Sequence, residues 1–249
     1  MTPEIPYKRK AVDPVECIKA GWELVKPHYW LFVGMCIIGY FIGTAVPLGI
    51  LMGPMMAGLY LTFFKLRRRE PIEFGTLFKG FEFFGPSLVA TLLHAIPVVA
   101  IVVPTYLLFY VSFFFAAVAQ SQSQNPNPLG VLGVFFTFFL VILVISVLLV
   151  IISIGFVFAY PLIVDRRLNG LDAVKVSFKA GLANFWRLLG LLLLNGVMSM
   201  VGVAFCIVGM FLVLPIAYGA IAAAYEQVFG LKDPREFGSN LPPPPPVFN

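Results

Sequence analysis

Three long stretches of the chain contain no Asp, Glu, Lys or Arg. They run from Pro27 to Phe64, from Phe83 to Val164 and from Leu188 to Tyr225, and they are 38, 82 and 38 residues long. A helix needs about 20 apolar residues to cross the hydrocarbon core of a bilayer. Because ionised groups are expensive in that core, each stretch predicts two membrane-spanning helices.

The composition supports the prediction of membrane-spanning helices. Of the 249 residues, 60% are hydrophobic and 12% are charged, whereas a soluble domain has about 25% charged residues. We therefore expect an all-α integral membrane protein with six transmembrane helices. The predicted spans are Trp30–Ala45, Leu48–Leu66, Leu88–Phe115, Leu129–Tyr160, Phe185–Gly202 and Cys206–Glu226.

Basic residues indicate the orientation of these spans. Six spans place both termini on one side, and every Lys and Arg of the chain then falls on that side. The three turns on the opposite side carry no charge. Since basic loops stay in the cytoplasm, we expect a multi-pass protein with cytoplasmic N- and C-termini.

An amphipathic segment precedes the first span. Asp13 can cap a helix that begins at Pro14, and Glu16 is an acid in its first turn. The apolar stripe of this helix is predicted to be Val15, Ile18, Trp22 and Val25. Such a helix lies along a membrane surface, here on the cytoplasmic side.

The same pattern returns at residues 71–86 and 169–187. At an offset of 156, Ile18, Lys19, Trp22 and Trp30 fall on Val174, Lys175, Phe178 and Trp186. We predict three parallel repeats of a surface helix followed by two spans, covering 14–70, 71–168 and 169–230. Together they form a single six-span domain, 14–230, between a cytoplasmic segment, 1–13, and a Pro-rich cytoplasmic tail, 231–249.

A basic cluster follows the second predicted span. Its sequence is KLRRRE, and two further arginines follow the fourth span. Each basic residue near an anionic leaflet contributes about 1 kcal/mol of attraction. The cluster can simply set the topology, or it can bind lipid headgroups. The headgroup candidates are Lys65, Arg67, Arg68, Arg69, Arg166 and Arg167.

Three polar residues lie in or at the end of predicted spans. His94 and Asn195 are interpreted as hydrogen-bonding groups between helices, with a proton relay or ligand site as the alternatives. Glu226 ends the last span and is predicted to pair with Arg187 or Lys179, with a gate or substrate contact as the alternative.

Catalytic patterns are absent from the sequence. We find no metal-ligand spacing, phosphate-binding loop or nucleophile elbow. Cys17, Cys36 and Cys206 are predicted to be small apolar fillers. We therefore expect no catalytic residue, no cofactor, no metal and no enzyme activity.

Two segments carry a family resemblance. The segments AGLYLTFFKLRRREPIEFGTLFKGFEFFGPSLVATLL and DAVKVSFKAGLANFWRLLGLLLL, with the later LPIAYGAIAAAYEQVFG, resemble uncharacterised bacterial integral membrane proteins. These are YciC-like and related families of unknown function. They are similar to the membrane domain attached to some glycerophosphodiester phosphodiesterases. The resemblance implies six helices in a bacterial cytoplasmic (inner) membrane and transfers no activity.

The uncharged, Phe-rich spans favour a non-enzymatic accessory or scaffold subunit. Its expected partners are anionic lipid headgroups and other membrane proteins in a larger complex, and not nucleic acid, because the basic residues lie against the bilayer. The alternative is a transporter of small molecules or lipids, with a path through the middle repeat lined by His94, Tyr106 and Tyr110.

Overall fold

The computed structural model describes residues 5–46, 49–122, 129–205 and 207–232. Within these ranges all regular elements are helical and no strand occurs. The Pro-rich tail from 233 onward, the centre of the long polar loop and Cys206 lie outside the described residues. The α-helices are α1 (Pro14–Val25), α2 (Tyr29–Ala45), α3 (Met52–Arg67), α4 (Phe84–Gln122), α5 (Leu129–Phe156), α6 (Ala159–Arg166), α7 (Gly170–Ala183), α8 (Phe185–Phe205) and α9 (Ile207–Phe229).

Two 3₁₀ helices complete the described elements. Lys26–His28 joins α1 to α2, and Phe74–Phe83 leads into α4. The second surface helix was predicted at residues 71–86, and most of that segment is this longer 3₁₀ helix. We call α1, the 3₁₀ helix Phe74–Phe83 and α7 the short helices.

Five helical segments of the described chain are long and apolar enough to cross a membrane, which is consistent with a membrane protein. They are Pro14–Ala45, Phe74–Gln122, Leu132–Arg166, Phe185–Ala204 and Gly209–Phe229. The remaining predicted span, Leu48–Leu66, corresponds to α3, which has only 16 residues. A helix of that length extends about 24 Å.

The core is centred on α3. Tyr60, Phe63 and Phe64 of this helix are at most 2% exposed. Phe64 packs against Tyr225 of α9 with ring centroids 5.3 Å apart, and Tyr225 packs against Phe158 at 6.2 Å. The ends of α3 and α9 and the start of α6 therefore meet in one aromatic cluster.

The helix α1 begins as predicted, but its predicted apolar stripe is only partly buried. Asp13 accepts hydrogen bonds from the amides of Val15 and Glu16 at 3.0 and 3.1 Å. Of the predicted stripe, Val15 and Trp22 are 55% and 41% exposed. The stripe residue Val25 is buried as predicted, and the other buried residues are Cys17 and Gly21, because α1 packs closely against α9 along a face of smaller side chains.

Each short helix packs against the second helix of another predicted pair. On α1, a Cβ added to Gly21 would lie 2.5 Å from the amide nitrogen of Ala220 in α9. A Cβ on Gly80 of the 3₁₀ helix would lie 2.8 Å from the Cα of Gly58 in α3. On α7, a Cβ on Gly181 would lie 2.5 Å from the carbonyl oxygen of Ile154 in α5. Glycine is what allows all three approaches.

The predicted fourth span, Leu129–Tyr160, is interrupted in the structure. It consists of α5 and the start of α6, with a turn at residues 157–158. Pro161 removes one helical amide and clashes with a continued helix. Ser177 of α7 bonds to the backbone at the turn: its Oγ donates to the carbonyl of Gly155 at 2.7 Å and accepts from the amide of Phe158 at 3.1 Å.

The α4–α5 hairpin extends well away from the core. The 39 residues of α4 span about 58 Å, compared with about 26 Å for the 17 residues of α2. Its buried residues are Ser87, Ala90 and Thr91 on α4 and Ile154 and Gly155 on α5. No residue from 92 to 122 is buried. Among the residues from 129 to 153 whose exposure the structure describes, none is buried either. Pro97 and Pro104 both lie inside α4.

Candidate functional site: a buried carboxylate at one end of the helix bundle

A single carboxylate lies at the centre of the strongest polar cluster in the described structure. The side chain of Asp165 in α6 is fully buried. One of its oxygens accepts a hydrogen bond from Arg68 at 2.8 Å, and the other accepts one from the Tyr225 hydroxyl at 2.8 Å. The Nε of Arg166 lies 3.2 Å from the second oxygen. Asp165 therefore joins the ends of α3, α6 and α9.

The same cluster positions the segment that follows α9. Arg68 donates to the carbonyl of Lys232 at 2.9 Å, and the amide of Lys232 lies 3.3 Å from both oxygens of Asp165. Arg166 donates to the carbonyls of Phe229 and Gly230 at 3.1 Å. Since both carboxylate oxygens are already hydrogen-bonded, the geometry favours a structural role for Asp165 over that of a general base.

Asp165 was not among the residues selected from the sequence. Its signal was nevertheless present. An acid at the C-terminal end of a helix is electrostatically unfavourable, so Asp165 requires cations nearby. The arginine that follows it, Arg166, and the Arg67–Arg69 run at the end of α3 supply them. The spacing along the chain alone could not show that these ends meet.

Glu226 forms an ion pair, but its predicted partners were wrong. Its Oε1 lies 2.9 Å from the Nε of Arg67, whereas the expectation was Arg187 or Lys179. Arg187 instead donates to the carbonyl of Val12 at 3.0 Å. The reason is the close approach of α3 and α9, which places Arg67, rather than Lys179 of α7 or Arg187 of α8, within ion-pair distance of Glu226.

The six predicted headgroup residues do not act alike. Arg67, Arg68 and Arg166 form ion pairs within the protein. Arg69 is exposed and Lys65 is half-exposed. Arg167 ends α6 in the left-handed conformation, with φ of 51°. The side chains of Lys65 and Arg69 form no ion pair within the described part of the chain, and both are accessible to an external anion.

The two intramembrane candidates, His94 and Asn195, are not brought together. The His94 ring stacks on Phe156 at 4.8 Å, and its buried Nε2 has no hydrogen-bond partner among the described residues. Asn195 is 7% exposed, and both polar atoms of its amide also lack a partner there. The hydrogen bonds between helices that were predicted for these residues are therefore not present in the described structure.

A cleft separates α4 from α5 in the outer part of their hairpin. Its volume is about 530 Å³, and the hydroxyl-bearing residues Thr105, Ser112 and Thr137 contribute to its lining. Phe109 and Phe138 stack at 3.9 Å at its side. The tyrosines expected to line a path are not part of this lining: Tyr106 and Tyr110 are 47% and 63% exposed.

No group of three or more His, Cys, Asp or Glu residues that could hold a metal ion occurs in the described part of the chain. The ionic cluster around Asp165 contains two acids and several guanidinium groups, and these pair with one another. The cluster is consequently suited to holding the helix ends together, and the accessible basic residues beside it, Lys65 and Arg69, are suited to binding anions.

Comparison with known proteins gives one match. Residues 10–231 match the family model described as protein of unknown function (DUF975). No curated protein and no solved structure matches the chain. The expectation of an uncharacterised family is confirmed, while the similarity to YciC-like proteins and to phosphodiesterase-associated domains stays a prediction. Because the match covers most of the 249 residues, the chain belongs to the DUF975 family.

Proposed function

We propose that this chain is a non-enzymatic accessory or scaffold protein of a bacterial cytoplasmic membrane. It crosses the membrane six times with both termini in the cytoplasm, and it packs against lipids and a partner membrane protein. Its six spans form three repeats, each introduced by one short helix at the cytoplasmic side.

Three features support the repeats. Each short helix packs closely on the second helix of another pair, and each of these approaches involves a glycine: Gly21, Gly80 or Gly181. The helices α3, α6 and α9 are also followed by residues with positive φ: Arg69 at 57°, Arg167 at 51° and Gly230 at 66°. Such left-handed residues terminate helices.

The distribution of charge supports the orientation. The ion pairs of Asp165 and Glu226 join the C-terminal ends of α3, α6 and α9. The N-terminal segment lies at the same end, since the amide of Lys8 donates to the carbonyl of Val228 at 2.9 Å. Basic residues concentrate there, as expected of a cytoplasmic face.

The observation that carries the scaffold proposal is the α4–α5 hairpin. The uncharged helix α4 is about 58 Å long, and the hydrocarbon core is about 30 Å thick. Lipid tails alone do not cover that apolar length without strong tilt. Large apolar side chains such as Phe114 and Phe139 are 62% exposed near the tip. A partner membrane protein packed along the hairpin covers the excess.

Site-specific photo-crosslinking in native membranes tests this proposal. A photoreactive residue is placed at Phe114 or Phe139 on the hairpin, with Trp186 and Met200 of α8, which are 79% and 76% exposed, as controls. We expect one stoichiometric protein adduct, the same from both hairpin positions, and only lipid adducts from the controls. Lipid adducts from all four positions, together with a monomer in native mass measurement, would contradict the scaffold proposal.

The α4–α5 cleft supports a second candidate function, transport of a small molecule or lipid. Single cysteines at Ser112 and Thr137 in the cleft wall are treated with a membrane-impermeant maleimide. Labelling at both positions, but not at the exposed Leu143 on α5, is expected of a water-filled path. Absence of labelling at Ser112 and Thr137 would rule out such a path.

A further inference from the structure

A small cavity lies between α2, α3 and α9, away from the cluster around Asp165. Its volume is about 20 Å³, which is enough for one water molecule or one small ion. Eleven residues line the cavity, and they include Met35, Cys36, Met52, Met55 and Met56.

Sulfur is concentrated around this cavity. The chain has eight methionines and three cysteines among 249 residues. Five of these eleven sulfur-containing residues are among the eleven that line the cavity. General packing of apolar helices does not require this concentration, because Leu, Phe and Val are far more frequent in the chain.

The helix geometry explains how the five residues meet. Met52, Met55 and Met56 share one face of α3, because residues three and four apart are neighbours on a helix. Met35 and Cys36 lie on α2, which is separated from α3 by six residues of sequence and packs against it. A Cβ on Gly43 of α2 would lie 3.1 Å from the Cα of Met52, so the two helices are close at this level.

Part of the cavity lining is buried, while Met52 and Met56 are half-buried. Met35, Cys36 and Met55 are 0%, 5% and 2% exposed. In such a place a bare charge is costly unless it is compensated. A monovalent cation bound to one thiolate gives a complex without net charge, which satisfies this condition.

We propose that this cavity binds a single soft monovalent cation, Cu(I). Thiolate and thioether ligands select Cu(I), whereas carboxylate and carbonyl ligands select hard cations such as Mg²⁺ and Ca²⁺. The Cys36 thiolate and thioethers from Met52, Met55 and Met56 are the ligands. On binding, a Cu–S bond replaces the S–H bond of Cys36, the proton passes to solvent, and copper keeps its oxidation state.

This inference does not rest on the scaffold function. It revises the sequence-based prediction that Cys36 is only a small apolar filler. Three of the four proposed ligands are methionines, so the absence of groups of His, Cys, Asp and Glu residues from the described part of the chain does not bear on this site. Tyr40 and Tyr218, which also line the cavity, are not required as ligands.

The test uses the full chain purified in detergent under reducing, anaerobic conditions. It is titrated with Cu(I) against a chromogenic chelator, and bound copper is quantified by elemental analysis. The test variant combines Cys36→Ser, Met52→Leu and Met56→Leu. Met and Leu have similar volumes, so the Leu substitutions preserve the packing of the core. The matched control combines Cys17→Ser, Met198→Leu and Met200→Leu.

We expect one copper equivalent in the wild type and in the control, and loss of that equivalent in the test variant. X-ray absorption at the copper edge should show a shell of sulfur alone. Absence of bound copper in the wild type, equal binding by the test variant, or a shell of nitrogen and oxygen would overturn the proposal. The absorption spectrum needs only the wild type, so it decides the matter even if the test variant does not fold.

Discussion

The hydroxyl of Tyr225 donates a 2.8 Å hydrogen bond to the carboxylate of Asp165, 60 residues earlier in the chain. This bond joins α9 to α6 inside the protein, and Arg68 joins α3 to the same carboxylate. The three helix ends are consequently held together by one buried acid.

Asp165→Asn is expected to destabilise the protein by about 3 kcal/mol, because removing one partner of a buried ion pair leaves the other charge uncompensated. Tyr225→Phe removes one hydrogen bond to a charged group and is expected to cost about 1.5 kcal/mol. Equilibrium unfolding in mixed micelles measures both. The control is Glu82→Gln at an exposed acid, which should change stability by less than about 0.5 kcal/mol. Equal behaviour of Asp165→Asn and Glu82→Gln would refute a stabilising role for the cluster.

Gly21→Ala is expected to destabilise the packing of α1 on α9 by about 1–3 kcal/mol, because the new methyl group would overlap the backbone at Ala220. Gly196 lies in the interior of α8 with open space around it. Gly196→Ala should therefore be neutral or stabilise the helix by up to about 1 kcal/mol. Thermal unfolding of the two variants side by side checks the difference, and a destabilisation no greater for Gly21→Ala than for Gly196→Ala would show that the close approach is not needed.

Ser177→Ala removes the hydroxyl that bonds to the backbone where α5 ends. Two backbone groups, the carbonyl of Gly155 and the amide of Phe158, lose their bonds to Ser177. We expect a loss of about 2 kcal/mol, since an unsatisfied buried group costs about 1–3 kcal/mol. Ser146→Ala is the matched control, because Ser146 is exposed and bonds only to Leu143 of its own helix. Unchanged stability in Ser177→Ala would mean that water or a backbone shift replaces the hydroxyl.

The basic residues at the end of α3 are expected to separate into two groups. Combining Lys65→Gln with Arg69→Gln should reduce co-purification of anionic lipid, by about 1 kcal/mol of attraction for each charge, with little change in stability. Arg68→Gln should lower stability instead, because Arg68 pairs with Asp165. Native mass measurement of bound lipid, combined with thermal unfolding, distinguishes the two effects. Loss of lipid in Arg68→Gln alone would reverse this assignment.

Reporter fusions test the proposed topology. Fusions after Arg69 and after Arg167 should report the cytoplasm, and a fusion at Asn125 in the uncharged loop should report the opposite side. The fusion after Arg69 is the most informative, because α3 has only 16 residues. An external signal there would mean that α2 and α3 do not cross as a pair, and the six-span architecture would then be abandoned.

The local elements could largely be predicted from the sequence. Asp13 and Asn169 cap α1 and α7 as their side chains suggest, because capping involves atoms only two or three residues apart. The helical content of the uncharged stretches follows from hydropathy, because a backbone in hydrocarbon must satisfy its hydrogen bonds within the segment. The family match over 10–231 covers the whole of the domain predicted at 14–230.

Only the tertiary structure decided which faces and which charges meet. Val15 and Trp22 of the predicted stripe on α1 are exposed while Gly21 is buried, because close helix packing favours small residues. Glu226 pairs with Arg67 across 159 residues, and Met35, Cys36 and Met52 line one cavity from two helices. Such contacts depend on how helices are arranged in space, and periodicity along a single helix carries no information about that arrangement.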